Sequence, residues 1–317
     1  MLKRNLLKCA LLFGSLLVLF SACKKEDIVL NNGNQLRYLF LHLQTAPQSF
    51  TVNAGTDQTI EGTQGTLIKF NPQSFKDGQG NIISSGTINI ELTEMYKPGD
   101  MIANRVTTTT VQQRRLQSGG SVKIVATMNG RDVFTNGYTL GFRQPGFSTE
   151  PMSLFLGVEK VDSTGTRVQW SDEQQQTVME TTKISTKIYY LFDTCTVFNW
   201  INCDYFYSAP DPKTKVRVTM PDNSYDLGNT QVYAIFPAIN SVSSLDDYDA
   251  GTHSFNLGND NYMLPVGATI HIVVLSAKDG SYFVDVRKNV TVSSGLNIAA
   301  TPVASSIESI QAALSGL

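Results

Sequence analysis

Hydrophobic and polar residues alternate over much of this chain. Between Thr87 and Thr93, Ile88, Ile90 and Leu92 would face one side, with Asn89, Glu91 and Thr93 on the other. That period of two predicts a half-buried strand. Val216, Val218 and Met220 alternate with Lys215, Arg217 and Thr219 in the same way. Further runs are β-rich: 36–43, which contains His42, then 66–70, 106–111 with four consecutive threonines, 138–142, 187–192, 231–236 and 270–275. β-Branched side chains are stiff at χ1 and suit a pleated surface. Both His42 and His271 fall within such runs and read as structural.

Turn residues punctuate these runs. Asn129-Gly130 and Asp279-Gly280 each lie between apolar segments, the strongest local hairpin signal. Asp162-Ser163-Thr164-Gly165 predicts a third hairpin between 154–161 and 166–170. The polar stretch 173–176 reads as a loop. Near the C-terminus, Ile307, Ile310 and Leu314 have helical spacing, and Ser305 and Glu308 have the spacing of a capping box.

Together these elements predict an all-β protein: two consecutive antiparallel β-sandwich domains, Ig-like or ZU-like, followed by a short C-terminal helix. The expected boundaries are 36–146 for the first sandwich, 147–184 for a connector carrying a hairpin, 185–300 for the second sandwich and 301–317 for the helix.

The N-terminus follows a different pattern. Lys3, Arg4 and Lys8 precede an almost unbroken apolar run over 11–20, and Ser21, Ala22 and Cys23 come next. The run is too short for the ~20 residues of a spanning helix and fits a secretory signal peptide over 1–22. The stretch resembles the bacterial lipobox, with Phe20 where that motif usually has Leu. The resemblance implies that Cys23 carries a diacylglyceryl thioether and becomes the mature N-terminus. Acyl chains, palmitate among them, would hold the protein to a membrane at about 0.8 kcal/mol per buried methylene. Lys25, Glu26 and Asp27 resemble the surface-export signal of Bacteroidota lipoproteins, which implies the cell-surface side of the outer membrane. The polar stretch 23–35 reads as a flexible tether.

Charge narrows the partners. Loss of Lys3, Arg4 and Lys8 with the leader takes the formal charge from −2 to −5. Basic residues form no cluster beyond short pairs such as Arg114-Arg115, so no nucleic-acid partner is expected. Cys9 leaves with the leader, and Cys195 and Cys203 remain. In an oxidising compartment two such cysteines predict a disulfide, with a metal pair as the weaker alternative because no His is near.

A second resemblance covers roughly 55–145. Phe70, Asn71, Pro72, Phe75, Asp77, Gly78 and Gly80, then Gly86 to Leu92, Asp100 to Ile102, Ser118-Gly119-Gly120 and Ile124 to Ala126 carry it. This region resembles a β-sandwich module of uncharacterised Bacteroidota surface proteins, similar to the ZU-type domain of ankyrins and netrin receptors. The resemblance implies a fold and no activity. Some ZU-type domains cleave themselves at a His-Phe-Ser triplet. Here His42 is followed by Leu43 and Gln44, and His253-Ser254-Phe255 has the wrong order, so self-cleavage is not expected. Asp162-Ser163-Thr164 also resembles the short O-glycosylation motif of the same group.

Catalytic signatures are missing from the sequence. It has no H-E-x-x-H, no G-x-S-x-G, no phosphate-cradling glycine loop and no Cys/His metal spacing. Glu91 and Glu94 are near neighbours, but alternation turns Glu91 outward. Asp246, Asp247 and Asp249 lack the calcium-loop spacing and read as a solvated loop. No cofactor, metal or catalytic residue is expected. The most distinctive segment is 198–207, where Phe198, Trp200, Tyr205 and Tyr207 surround Cys203. These aromatics read either as a platform for a glycan or an envelope protein, or as core packing. The chain is therefore expected to be a membrane-anchored, non-enzymatic binding or scaffold module, with a purely structural spacer of a surface complex, or less favoured an enzyme with an unrecognised site, as the alternatives.

Overall fold

The computed structural model describes residues 32–143, 150–177, 182–184, 186–257 and 263–317. The expected signal peptide, Cys23 and the expected tether up to residue 31 lie outside the described residues. The chain is mostly β, 54% strand and 11% helix, with several sheets and a short C-terminal helix.

The first apolar run forms a helix and not a strand. Helix α1 spans Asn32–Leu43 and buries Leu36, Leu39, Phe40 and Leu43. These positions follow the i, i+3, i+4, i+7 stripe of one helical face. Helix α2, Pro98–Ala103, begins with proline, whose fixed φ and missing N–H suit a first turn. Helix α3, Ile307–Ser315, starts one residue later than its capping box predicted: Ser306 is the N-cap, and its hydroxyl accepts from the Ser309 amide at 3.2 Å.

An eight-stranded sheet dominates the N-terminal lobe. Its order is Gln48–Asn53, Thr87–Met95, Leu116–Met128, Asn199–Phe206, Ser153–Asp162, Gly165–Thr177 and Val106–Thr110, with Arg131–Asp132 paired onto Leu116–Met128. A five-stranded sheet runs Thr182–Ile184, Lys187–Cys195, Tyr138–Arg143, Leu67–Phe70 and Gln58–Glu61. One apolar core draws on both, with Ile88, Ile90, Leu92, Val122 and Ile201 from the first and Ile68, Leu140, Phe142 and Phe192 from the second.

These pairings move the expected boundaries. The hairpin of the supposed connector is built into the eight-stranded sheet, and 173–176 continue its second strand instead of forming a loop. Lys187–Cys195 and Asn199–Phe206, expected in the second domain, pair with strands of the first. The sheets are also not purely antiparallel. Gly165–Thr177 runs parallel to Val106–Thr110, and Arg217–Thr219 runs parallel to Asn297–Ala299.

The C-terminal lobe holds a four-stranded sheet, Asp247–Asp249, Ser254–Asn256, Arg217–Thr219 and Asn297–Ala299. It also holds a five-stranded one, Ser241–Ser244, Thr230–Phe236, Thr269–Lys278, Ser281–Thr291 and Val303–Ala304. Asn129-Gly130 and Asp279-Gly280 adopt positive φ at both residues, as two-residue hairpins require.

A third cluster joins the lobes. Along Thr230–Phe236, Val232, Ala234 and Phe236 enter the C-terminal core, while Tyr233 and Ile235 face the other way. Ile272 and Val274 likewise oppose Val273 and Leu275 on Thr269–Lys278. The outward set meets Met95, Leu116, Phe155, Val168, Trp170 and Trp200 of the eight-stranded sheet, and all three helices pack into the same seam. Both sheets are thus covered on two faces. At Gly99 an added Cβ would lie 2.1 Å from the Leu314 carbonyl oxygen, so α2 and α3 approach closely there because a side chain is lacking.

The four threonines line this seam. The Trp170 indole donates to the Thr107 carbonyl at 2.7 Å. The Thr108 hydroxyl accepts from the Val242 amide at 2.8 Å. Buried Arg105 donates to the carbonyl and hydroxyl oxygens of Thr164, both at 2.7 Å, and its guanidinium lies 4.8 Å from the centre of the Phe40 ring. Buried polar groups persist where partners satisfy them, and here the terminal nitrogens of Arg105 are satisfied while its Nε is not.

Candidate functional site

The aromatic segment does not form a platform. Alternation within Asn199–Phe206 sends Trp200 and Tyr205 to opposite faces, and Phe198 and Tyr207 flank the strand. Trp200, 8% exposed, sits in the seam, where its indole donates to Glu159 Oε1 at 2.7 Å. Phe198 and Tyr205 pack on the N-terminal core, and Tyr207 packs on the C-terminal one.

Nor do the cysteines form a disulfide. Cys195 and Cys203 are both buried free thiols on strands of different sheets. Cys195 opposes Tyr138 at one end of Tyr138–Arg143. Cys203 interacts with Tyr96, whose ring packs on Phe142 near the other end. Strand pairing enters the two cysteines into different sheets, and each thiol is enclosed there unbonded to the other. Burial pushes the Cys195 thiol up to about 12 and raises Cys203 well above its ordinary value, so neither is a thiolate nucleophile at neutral pH.

The carboxylates singled out in the sequence serve the scaffold. Glu91 is exposed, whereas buried Glu94 accepts from the amides of Thr66 and Gln64 and from Gln48 Nε2, each at 2.8 Å. Asp246 pairs with Arg167 at 3.2 Å, and Asp249 accepts from the Gly251 amide at 2.8 Å. Among the described residues, no group of three His, Cys, Asp or Glu side chains could hold a metal ion. Of the glycosylation-like triplet, Ser163 is exposed and Thr164 is buried against Arg105.

Among the described residues, Asp204 is the most perturbed carboxyl group. It is fully buried, Asn202 Nδ2 donates to its Oδ2, and its Oδ1 has no hydrogen-bond partner. Burial raises it to about 8, against the opposing pull of bonds from Ser118, Asn202 and Gly119. It is therefore mostly protonated at neutral pH. It lies buried within the eight-stranded sheet, where it serves as a structural acid.

Two adjoining concavities lie at the Met128 end of Leu116–Met128, whereas the Leu116 end enters the seam. A groove of about 510 Å³ is walled by Ile124, Ala126, Val133, Phe134, Val197 and Phe198 and edged by Lys76, Asp132 and Asn199. A second concavity of about 600 Å³ adjoins it, sharing Asp132 and Val133, and includes Asp77 and Arg131. Phe134 is 54% exposed although its backbone is paired with Lys76. Phe198 rests its inner side on Tyr138, with ring centroids 5.1 Å apart.

One wall of the groove is under backbone strain. Asn199, on that wall, has φ +130°, and Thr194, two residues before the wall begins at Thr196, has φ +62°. A β-branched residue at positive φ is a true outlier, and such positions cost roughly 1–3 kcal/mol each. The Tyr138 hydroxyl donates to the Val197 carbonyl at 2.8 Å and holds the strained segment in place. In the second concavity, Asp77 Oδ1 accepts from the amides of Gln79 and Asn81 at 2.9 Å, and its Oδ2 accepts from Asn81 Nδ2 at 3.0 Å. The Asn81 side chain, foremost among these donors, keeps the Asp77 carboxyl below its ordinary value.

Of the four sequence candidates, only Phe198 reaches this groove. Phe134 was missed. Its local signal was slight: a large apolar residue just past a two-residue hairpin, at a position strand alternation turns outward. No protein-family model matches the chain, and no curated protein matches it.

Proposed function

We propose that this chain is an outer-membrane lipoprotein, anchored through Cys23 and exposed at the cell surface. Its two lobes, each of β-sandwich type, form a rigid, non-enzymatic binding module, and the groove beside Phe134 and Phe198 receives an apolar side chain of an envelope protein. The single observation that carries the binding reading is an exposed phenylalanine over a groove whose opposite wall is held in a strained backbone. Strain of this kind persists only where surrounding structure over-determines it, and it concentrates at binding sites. An apolar floor with a mixed-charge rim matches protein interfaces. Phenylalanine and valine walls, with few hydrogen-bonding side chains, suit a glycan less well.

The spacer alternative keeps one observation in its favour: Trp200, Tyr205 and Tyr207 are spent on packing. A photo-crosslinking amino acid at position 134, in cells producing the full chain, separates the two readings. The binding reading predicts a discrete adduct with one envelope protein, lost with Phe198→Ala. The spacer reading predicts no adduct beyond that from exposed Val161. A glycan array probed with the native protein and Phe134→Ala tests the carbohydrate alternative.

A further inference from the structure

The anchor reading leaves open which face of the body meets the membrane, and helix α1 answers that. Its inner stripe, Leu36, Leu39, Phe40 and Leu43, is buried in the seam, yet its outer stripe carries Tyr38, 44% exposed, and Leu41, 57% exposed. Tyr38 lies beside half-buried Tyr282, and its carbonyl meets His42 Nδ1 at 2.8 Å. Two large apolar side chains thus stand on the solvent side of this amphipathic helix, beside exposed Arg37 and His42.

The length of chain ahead of the helix says what covers it. Because 36–43 are helical, the segment between Cys23 and Asn32 is shorter than the tether expected from sequence. Nine residues reach no more than about 30 Å when fully extended. A folded chain of this size is roughly 50 Å across. A lipid at Cys23 therefore could not be reached around the body, and the face that bears the start of α1 must be the near one.

We infer that the outer stripe of α1, Tyr38 and Leu41, is the surface laid against the lipid bilayer. Tyrosine, with an apolar ring and a polar tip, suits the headgroup boundary. The groove at Phe134 belongs to the end of Leu116–Met128 that leaves the seam, so the orientation keeps it available to partners. This inference rests on the lipid-anchor reading.

The test uses lipidated full-length protein in vesicles of phosphatidylcholine with one-fifth phosphatidylglycerol. Leu41→Cys or Phe134→Cys supplies a single reactive thiol, because Cys195 and Cys203 are buried. A fluorophore at 41 should lose more than half its emission when headgroup-nitroxide lipid is included, and one at 134 should lose under a tenth. Equal quenching at both, or stronger quenching at 134, overturns the inference while vesicle flotation still upholds the anchor. Self-quenching at 41 without vesicles would assign the stripe to a second copy of the chain and also overturns it. If the Cys23→Ser form floats as well as the native protein, the anchor reading itself fails.

Discussion

The seam and the groove are made from the same kinds of residue and put them to opposite uses. Trp170, Trp200 and Phe155 are enclosed in the seam, whereas Phe134 stands open over the groove. The two regions lie toward opposite ends of the Leu116–Met128 strand. In the seam, aromatic burial and satisfied hydrogen bonds fuse two lobes. At the groove, backbone strain is retained and an apolar ring remains in water. An aromatic-rich sequence segment therefore says little about a site until its neighbours are known.

That contrast can be broken first at Trp170. Trp170→Ala would remove a fully buried ring and leave the Thr107 carbonyl without its donor. A loss of about 3–5 kcal/mol is expected, measured by guanidinium unfolding of the mature protein. A loss below about 1 kcal/mol would mean the seam is loosely packed.

Asp204 sharpens the contrast through pH. Burial holds its carboxyl up to about 8, so between its ordinary value near 3.8 and about 8 the unfolded chain is ionised while the folded chain keeps the proton. The folded state's advantage is complete below 3.8 and is lost as pH rises through 8. Asp204→Asn cannot ionise. Its stability relative to the native protein should climb from pH 4 to pH 8 and level off above, as read from urea midpoints across that range. A constant difference would show that Asp204 is not held protonated.

A smaller effect is expected at the helix contact. Gly99→Ala would drive a methyl into the Leu314 backbone and force α2 and α3 apart, at about 1–3 kcal/mol. The smallest belongs to the groove. Phe134→Ala should change stability by no more than about 0.5 kcal/mol, as for exposed positions generally, while abolishing the crosslink partner's binding.

The local parts of this fold were legible in sequence because their causes are local. Asn129-Gly130 and Asp279-Gly280 announce hairpins because few residues tolerate positive φ. The Thr87–Met95 strand announces itself through its period of two. Helix α1 was misread although its signal was present. Leu36, Leu39, Phe40 and Leu43 already have helical spacing, but a short apolar run is ambiguous between helix and strand. The nearly continuous runs 232–236 and 270–275 also carried an overlooked message, since strands apolar on both sides are covered on both sides. What no local pattern revealed was long-range assembly. Lys76, Phe134 and Phe198 meet only after three distant segments have paired, and Trp200 is buried only because the other lobe arrives. Cys195 and Cys203, close in sequence, were parted by entry into different sheets.

Hydrogen exchange of the mature protein, followed strand by strand, tests this division of labour most directly. The amides of Leu116–Met128, Asn199–Phe206, Thr230–Phe236 and Thr269–Lys278 should exchange only through one shared opening of both lobes, and those of 194–199 through cheaper local ones. A C-terminal lobe that opens alone, at lower free energy than the N-terminal lobe, would contradict a common seam.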